Sequence, residues 1–136
     1  MNWTGILPAV TTPFTSSLAV DHALLLQHTA WLLENGCTGL VMLGSLGEGA
    51  TLEHDEKLAI LKTALRASEK TKTPVVAAIS SLSTAAAVRL AKEAEELGCA
   101  GLMVLPPYVY STDWREMKAH VAEILKATKL DCMLYN

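Results

Sequence analysis

The chain has 136 residues, 11 basic against 14 acidic, for a net charge of −3; 51% of its residues are apolar and 18% charged. That balance excludes a disordered chain, and the lack of a Lys/Arg cluster or of an apolar run near the roughly 20 residues of a membrane span excludes a nucleic-acid or membrane partner. With a pI near 5.8 and no signal-peptide pattern at Met1–Thr4, the expectation is one compact cytoplasmic domain that acts on a small molecule.

In chain order, Ile6–Val10 is an apolar run closed by Thr11-Thr12-Pro13, which predicts a short first strand. Asp21 caps a helix whose Leu24, Leu25, His28, Trp31 and Leu32 keep helical spacing up to Gly36. Gly39–Leu43 is the second predicted strand. A helix over 53–70 follows, with Thr51 as its cap and Glu53, Asp55 and Glu56 at its positive end. Val75–Ile79 is the third strand, and Ser81 or Ser83 caps a helix reaching Leu97 with Leu90, Ala94 and Leu97 on one stripe. Gly101–Leu105 is the fourth strand, Thr112 caps a fourth helix to about Thr128, and Asp131–Tyr135 reads as a fifth strand.

The chain also repeats itself. Gly36-Cys37-Thr38-Gly39-Leu40-Val41-Met42-Leu43 recurs as Gly98-Cys99-Ala100-Gly101-Leu102-Met103-Val104-Leu105, an offset of 62 residues, or two units of 31. One strand–helix unit has about that length. Strands without polar alternation, each followed by a helix, predict a parallel sheet. An open doubly wound sheet and a (β/α)8 TIM barrel compete. The regular unit favours the barrel, and 136 residues are about half of the roughly 250 that a barrel needs. The chain is therefore expected to be the N-terminal half of a single TIM-barrel domain, its first five strands and four helices over 1–136. Unpaired outer edges would make it associate or aggregate when alone.

Parallel α/β folds carry their working residues at the carboxyl ends of the strands. Here those ends hold Gly44-Ser45-Leu46-Gly47-Glu48-Gly49, Ser80-Ser81, Pro106-Pro107-Tyr108-Val109-Tyr110 and Tyr135-Asn136. Gly44 and Gly47 predict a tight turn with exposed N–H groups ahead of a helix, which suits an anion. Ala50-Thr51 stands where a P-loop needs Lys-Ser/Thr, so a carboxylate is a better guest than a nucleotide. Tyr108 and Tyr110 are candidate pocket walls. His22, His28, His54 and His120 lack metal spacing and read as packing or surface residues, so no metal is expected. Cys37 and Cys99, at matching places in the repeat, read as small packing residues, and with Cys132 they form no disulfide framework. Trp31 and Trp114 read as core or interface residues.

Gly44-Ser45-Leu46-Gly47-Glu48 ahead of Ala50-Thr51-Leu52 resembles the G-[ST]-x-G-E loop of the dihydrodipicolinate synthase / N-acetylneuraminate lyase family. Pro8-Ala9-Val10-Thr11-Thr12-Pro13-Phe14 and Leu134-Tyr135-Asn136 resemble two further signatures of that family. The resemblance implies a homotetrameric (β/α)8 lyase or synthase that needs no cofactor and forms a Schiff base between pyruvate, or another 2-keto acid, and a lysine on the sixth strand. It implies that Tyr135 shuttles protons, that the Ser45 hydroxyl relays them, and that Gly44, Leu46 and Gly47 hold the carboxylate, with backbone N–H groups at Leu46 and Gly47. Forming and breaking an imine needs repeated proton transfers, which a phenol can supply.

Two departures stand out. No lysine of this chain matches the Schiff-base position, so the segment alone is expected to be inactive. Leu46 replaces the family's usual threonine, and Val109 stands where the synthases carry a tyrosine used by a neighbouring subunit. Both point to a branch with another substrate, such as pyrroline-4-hydroxy-2-carboxylate or a sugar-derived 2-keto acid. The rival reading is a non-catalytic half-barrel that at most binds a small carboxylate.

Overall fold

The computed structural model describes residues 1–107, 109 and 113–135. Four parallel strands, β1 (Leu40–Met42), β2 (Val75–Ile79), β3 (Gly101–Val104) and β4 (Asp131–Leu134), alternate with four helices, α1 (His22–Glu34), α2 (His54–Ser68), α3 (Thr84–Leu97) and α4 (Trp114–Ala127). The strands are hydrogen-bonded in chain order, β1-β2-β3-β4.

That order decides between the two architectures. A doubly wound sheet reverses its strand order partway, whereas this one advances one place per strand, so crossovers of a single hand leave every helix on the same face. Accordingly α1 packs on α2, α2 on α3 and α3 on α4. The opposite face, free of helices, is the inner wall of a barrel.

The second to fifth predicted strands are β1 to β4; the first is not a strand. Residues 6–10 run beside β1 but make one isolated parallel bridge, Ala9 with Val41, with Val41 N donating to Pro8 O and Val10 N to Val41 O, both at 2.9 Å. The next rung back would need an N–H at residue 8 to reach the Gly39 carbonyl, and proline has none. Thr38 N bonds Ile6 O instead, at 2.8 Å.

Helix starts follow local chemistry. Asp21 accepts from Leu24 N at 2.9 Å, and Ser83, of the two candidate serines, caps α3 at Ala86 N. Thr51 does not cap α2. Its hydroxyl donates to Glu48 O at 2.9 Å, and Glu53 is the cap residue, its N–H donating to the Glu56 carboxylate at 2.9 Å. This is a capping box, and it brings the acidic first turn to the helix's positive end. Asp113 caps α4 by accepting from Arg115 N at 2.8 Å; Thr112 lies outside the described residues.

Strand register sets two faces. Met42, Ala77, Leu102 and Cys132 form a row that meets the helices, while Ala9, Val41, Val76 and Gly101 align on the inner wall, followed by Ala78, Met103 and Met133. The repeated glycines have their reason on that wall. A Cβ on Gly39 would come within 2.7 Å of the Leu7 side chain, and one on Gly101 within 2.9 Å of Met1 Sδ and 3.0 Å of Trp3 Cη2. Residues 1–7 thus seat across the inner wall where two side chains are missing. The Met1 ammonium pairs there with Asp131.

Cys99 is buried, and burial pushes its thiol up to about 12, which suits the packing role expected for it. Trp31 and Trp114 do not enter the core; they stand 57% and 71% exposed. The histidines sit at the surface or in packing environments. His22 pairs with Thr63 at 2.9 Å, His28 stacks on Trp31, His54 Nε2 lies 2.7 Å from Glu93 Oε2, and His120 is buried with Nδ1 2.9 Å from Thr84 Oγ1.

Burial lowers the His120 pKa below its ordinary 6.5. The unfolded chain therefore binds the extra proton first as pH falls. Stability from this group is complete above about 6.5 and is lost below it, down through the lower folded-state value. The expected result is a melting temperature that falls between pH 6.5 and 5, and falls less in His120→Phe. Scanning calorimetry of both proteins at matched pH checks it; parallel curves would remove His120 as the cause.

Candidate functional site

The turn after β1 is built from short-range bonds. Gly47 N and Gly49 N donate to Gly44 O at 3.0 and 3.2 Å, and Glu48 N donates to Ser45 O at 3.1 Å. The left-handed conformations it needs fall on Leu43 (φ 65°) and Glu48 (φ 54°), neither of them glycine. Such positions cost non-glycine residues about 1–2 kcal/mol and persist only where surroundings enforce them.

The glycines serve close approach instead. A Cβ on Gly47 would lie 2.8 Å from Val10 O, and one on Gly49 only 2.0 Å from Leu43 O. Gly44 is different, because its nearest neighbour would be Met103 Cε at 3.7 Å. A methyl there would make only an ordinary van der Waals contact, so the turn itself needs no glycine at this position.

One cavity of about 470 Å³ gathers the inner wall and this turn. Trp3, Leu7, Ala9, Val41, Met103, Leu105 and Met133 supply apolar wall, and Gly44, Ser45, Leu46 and Tyr135 stand at the carboxyl ends of β1 and β4. Among the described lining residues there is no ionised side chain, and none of the chain's lysines is one of them. Ser45 is exposed, and Leu46 and Tyr135 are 65% and 56% exposed.

Of the five residues expected at the site, four therefore line one cavity. Gly47 does not, and its N–H is spent on Gly44 O. That corrects the expectation that Leu46 and Gly47 offer the free donors. The N–H groups of Ser45 and Leu46 have no acceptor among the described residues. Nor does α2 aim a bare positive end at the cavity, since its first turn carries Asp55 and Glu56. Ser45 and Tyr135 share no direct hydrogen bond, and Tyr135 is held through its backbone, N to Val104 O at 2.9 Å. Tyr108, Tyr110 and Asn136 lie outside the described residues.

One residue escaped the sequence reading. Thr12 is 6% exposed, and its hydroxyl donates to Gly47 O at 2.7 Å. The available signal was a polar residue at the carboxyl end of the first apolar run, before Pro13.

Parallel strands in chain order, helices on one face and polar turns around a cavity at the carboxyl ends define the N-terminal part of a (β/α)8 barrel, a fold whose enzymes work at that mouth. The chain belongs to the dihydrodipicolinate synthetase family, whose model matches residues 2–136. It is 36% identical over 132 residues to the 4-hydroxy-tetrahydrodipicolinate synthase of Rhizobium meliloti, covering 97% of this chain and 45% of that one. With the Moorella thermoacetica 4-hydroxy-tetrahydrodipicolinate synthase it shares 38% over 136 residues, 100% of this chain and 46% of that one. Among solved structures it superposes on a Bacillus anthracis dihydrodipicolinate synthase with a TM-score of 0.93 at 32% identity, over 100% of this chain and 46% of that one. A prophage protein of the dihydrodipicolinic acid synthase family from E. coli K12, solved in complex with pyruvate, gives a TM-score of 0.88 at 28% identity, over 98% and 45%. The chain spans just under half the length of the relatives it matches.

Proposed function

We propose that residues 1–136 are the N-terminal half of one barrel domain in a cytoplasmic, homo-oligomeric class I Schiff-base lyase that acts on pyruvate or a related 2-keto acid. The observation that carries this reading is the meeting of Gly44, Ser45, Leu46 and Tyr135 on one cavity free of charged side chains among its described lining, in a chain of this family. The N–H groups of Ser45 and Leu46 supply neutral donors to the carboxylate. Imine formation expels the keto oxygen as water, which needs a proton delivered to the leaving hydroxyl, and the Tyr135 phenol delivers it. The Ser45 hydroxyl exchanges protons with Tyr135 through substrate or water, since no direct bond joins them. Leu46 puts an apolar side chain where the synthases carry threonine, which supports a branch of the family with a substrate of its own.

The nucleophile of this scheme is a lysine supplied by the rest of the barrel, so the 136-residue segment alone is inactive. Borohydride reduction in the presence of pyruvate is expected to trap an adduct of one lysine on the full-length protein and none on the segment. Mass spectrometry reads both. A pyruvate adduct on any of the segment's own lysines would sink the assignment.

A further inference from the structure

We propose that Thr12 is a positioning residue for substrate binding, clamping the turn that presents the Ser45 and Leu46 N–H groups. This rests on the reading that those N–H groups hold the keto acid's carboxylate. Thr12 is almost wholly buried, and its hydroxyl donates to Gly47 O at 2.7 Å. The peptide that carries this oxygen joins Gly47, whose N–H closes the turn on Gly44 O, to Glu48, whose N–H reaches Ser45 O. Two residues earlier Val10 O lies where a Cβ of Gly47 would fall, at 2.8 Å. The 10–12 segment therefore meets the far side of the turn twice, through the Thr12 hydroxyl on Gly47 O and through the close approach of Val10 O to Gly47.

The clamp has something to resist. Leu43 and Glu48, on either side of the turn, are both left-handed without being glycine, and such conformations relax when their surroundings stop enforcing them. If the Gly47 carbonyl is released, that peptide can rotate, carrying with it the Glu48–Ser45 bond and the direction of the two donors. Segment 6–10 makes only one bridge with β1, so the chain at Thr12 is free to serve the turn rather than a sheet ladder. The hydroxyl sets how well the carboxylate is held and leaves the reacting atoms untouched.

The test is kinetic, in the full-length protein with pyruvate as probe: borohydride-trapped imine formation is followed, with its half-saturating pyruvate concentration taken as KM and its limiting rate as kcat. Thr12→Val keeps the shape and removes the donor, and it is expected to raise KM about ten-fold while kcat stays within about two-fold. Thr12→Ser keeps the donor and is expected to retain the wild-type KM even where lost packing lowers its Tm. A Thr12→Val KM within two-fold of wild type, or a kcat that falls while KM holds, would overturn the clamp and leave the Schiff-base reading intact. If Thr12→Val does not fold, Thr12→Ser decides: a KM that rises with its loss of Tm overturns the proposal, and an unchanged KM supports it. Absence of a borohydride-trapped pyruvate adduct on the wild-type protein would remove the Schiff-base reading and this proposal with it.

Discussion

Tyr135→Phe in the full-length enzyme is expected to lower kcat by about 10²–10⁴-fold, the range that a positioned acid–base group supplies. The phenyl ring keeps the shape of the side chain, and the backbone bond from Tyr135 N to Val104 O is unaffected, so the cavity and the imine site should survive. Ser45→Ala should act in the same direction more weakly, because water can fill the place of its hydroxyl. The two hydroxyls line one cavity without touching, so their coupling runs through whatever occupies the space between them. The double variant should then lose less than the product of the single losses, as residues acting as a unit do. Turnover within about two-fold for Tyr135→Phe, with an additive double variant, would defeat the relay and leave the fold assignment standing.

The largest expected effect on stability comes from Gly49→Ala. A methyl there would sit 2.0 Å from Leu43 O and 2.8 Å from Leu43 C, both backbone atoms of a buried, left-handed residue. No rotamer change relieves such a contact, so the backbone must move, at a cost of about 3 kcal/mol or more. Gly44→Ala is the internal control. Its methyl meets only Met103 Cε at 3.7 Å, so denaturant unfolding should find its stability within about 0.5–1 kcal/mol of wild type. Equal destabilisation by the two substitutions would show that the turn does not have the geometry described.

Much of this protein was legible in its residues because the deciding forces act over a few positions. Asp21 and Ser83 cap helices that begin one residue later, and a side chain three residues from the N–H it accepts needs no tertiary help. The alternation of apolar runs with helical stripes, and the repeat of residues 36–43 at 98–105, announced a parallel sheet of regular units. The place of the Ser45 turn and of Tyr135 followed from the rule that such folds work at their strand ends.

What distance in space decides could not be read the same way. Pro8 reduces the first strand to a single bridge only because its missing N–H faces the Gly39 carbonyl. Thr51, a good cap by type, gives its hydroxyl to Glu48 O in the preceding turn, leaving the start of α2 to Glu53 and Glu56. Gly39 and Gly101 look like halves of a repeat in the sequence, and only the packing of Leu7, Met1 and Trp3 against them shows why both lack a side chain. The chain in one dimension shows Gly44, Gly47 and Gly49 as equals. Folding brings Val10 O against one and Leu43 O against another while leaving Gly44 room for a methyl, and it carries Thr12 across 35 residues of sequence to hold the turn. Local propensity and spacing specified the elements; the close approach of backbone atoms from distant parts of the chain specified the site.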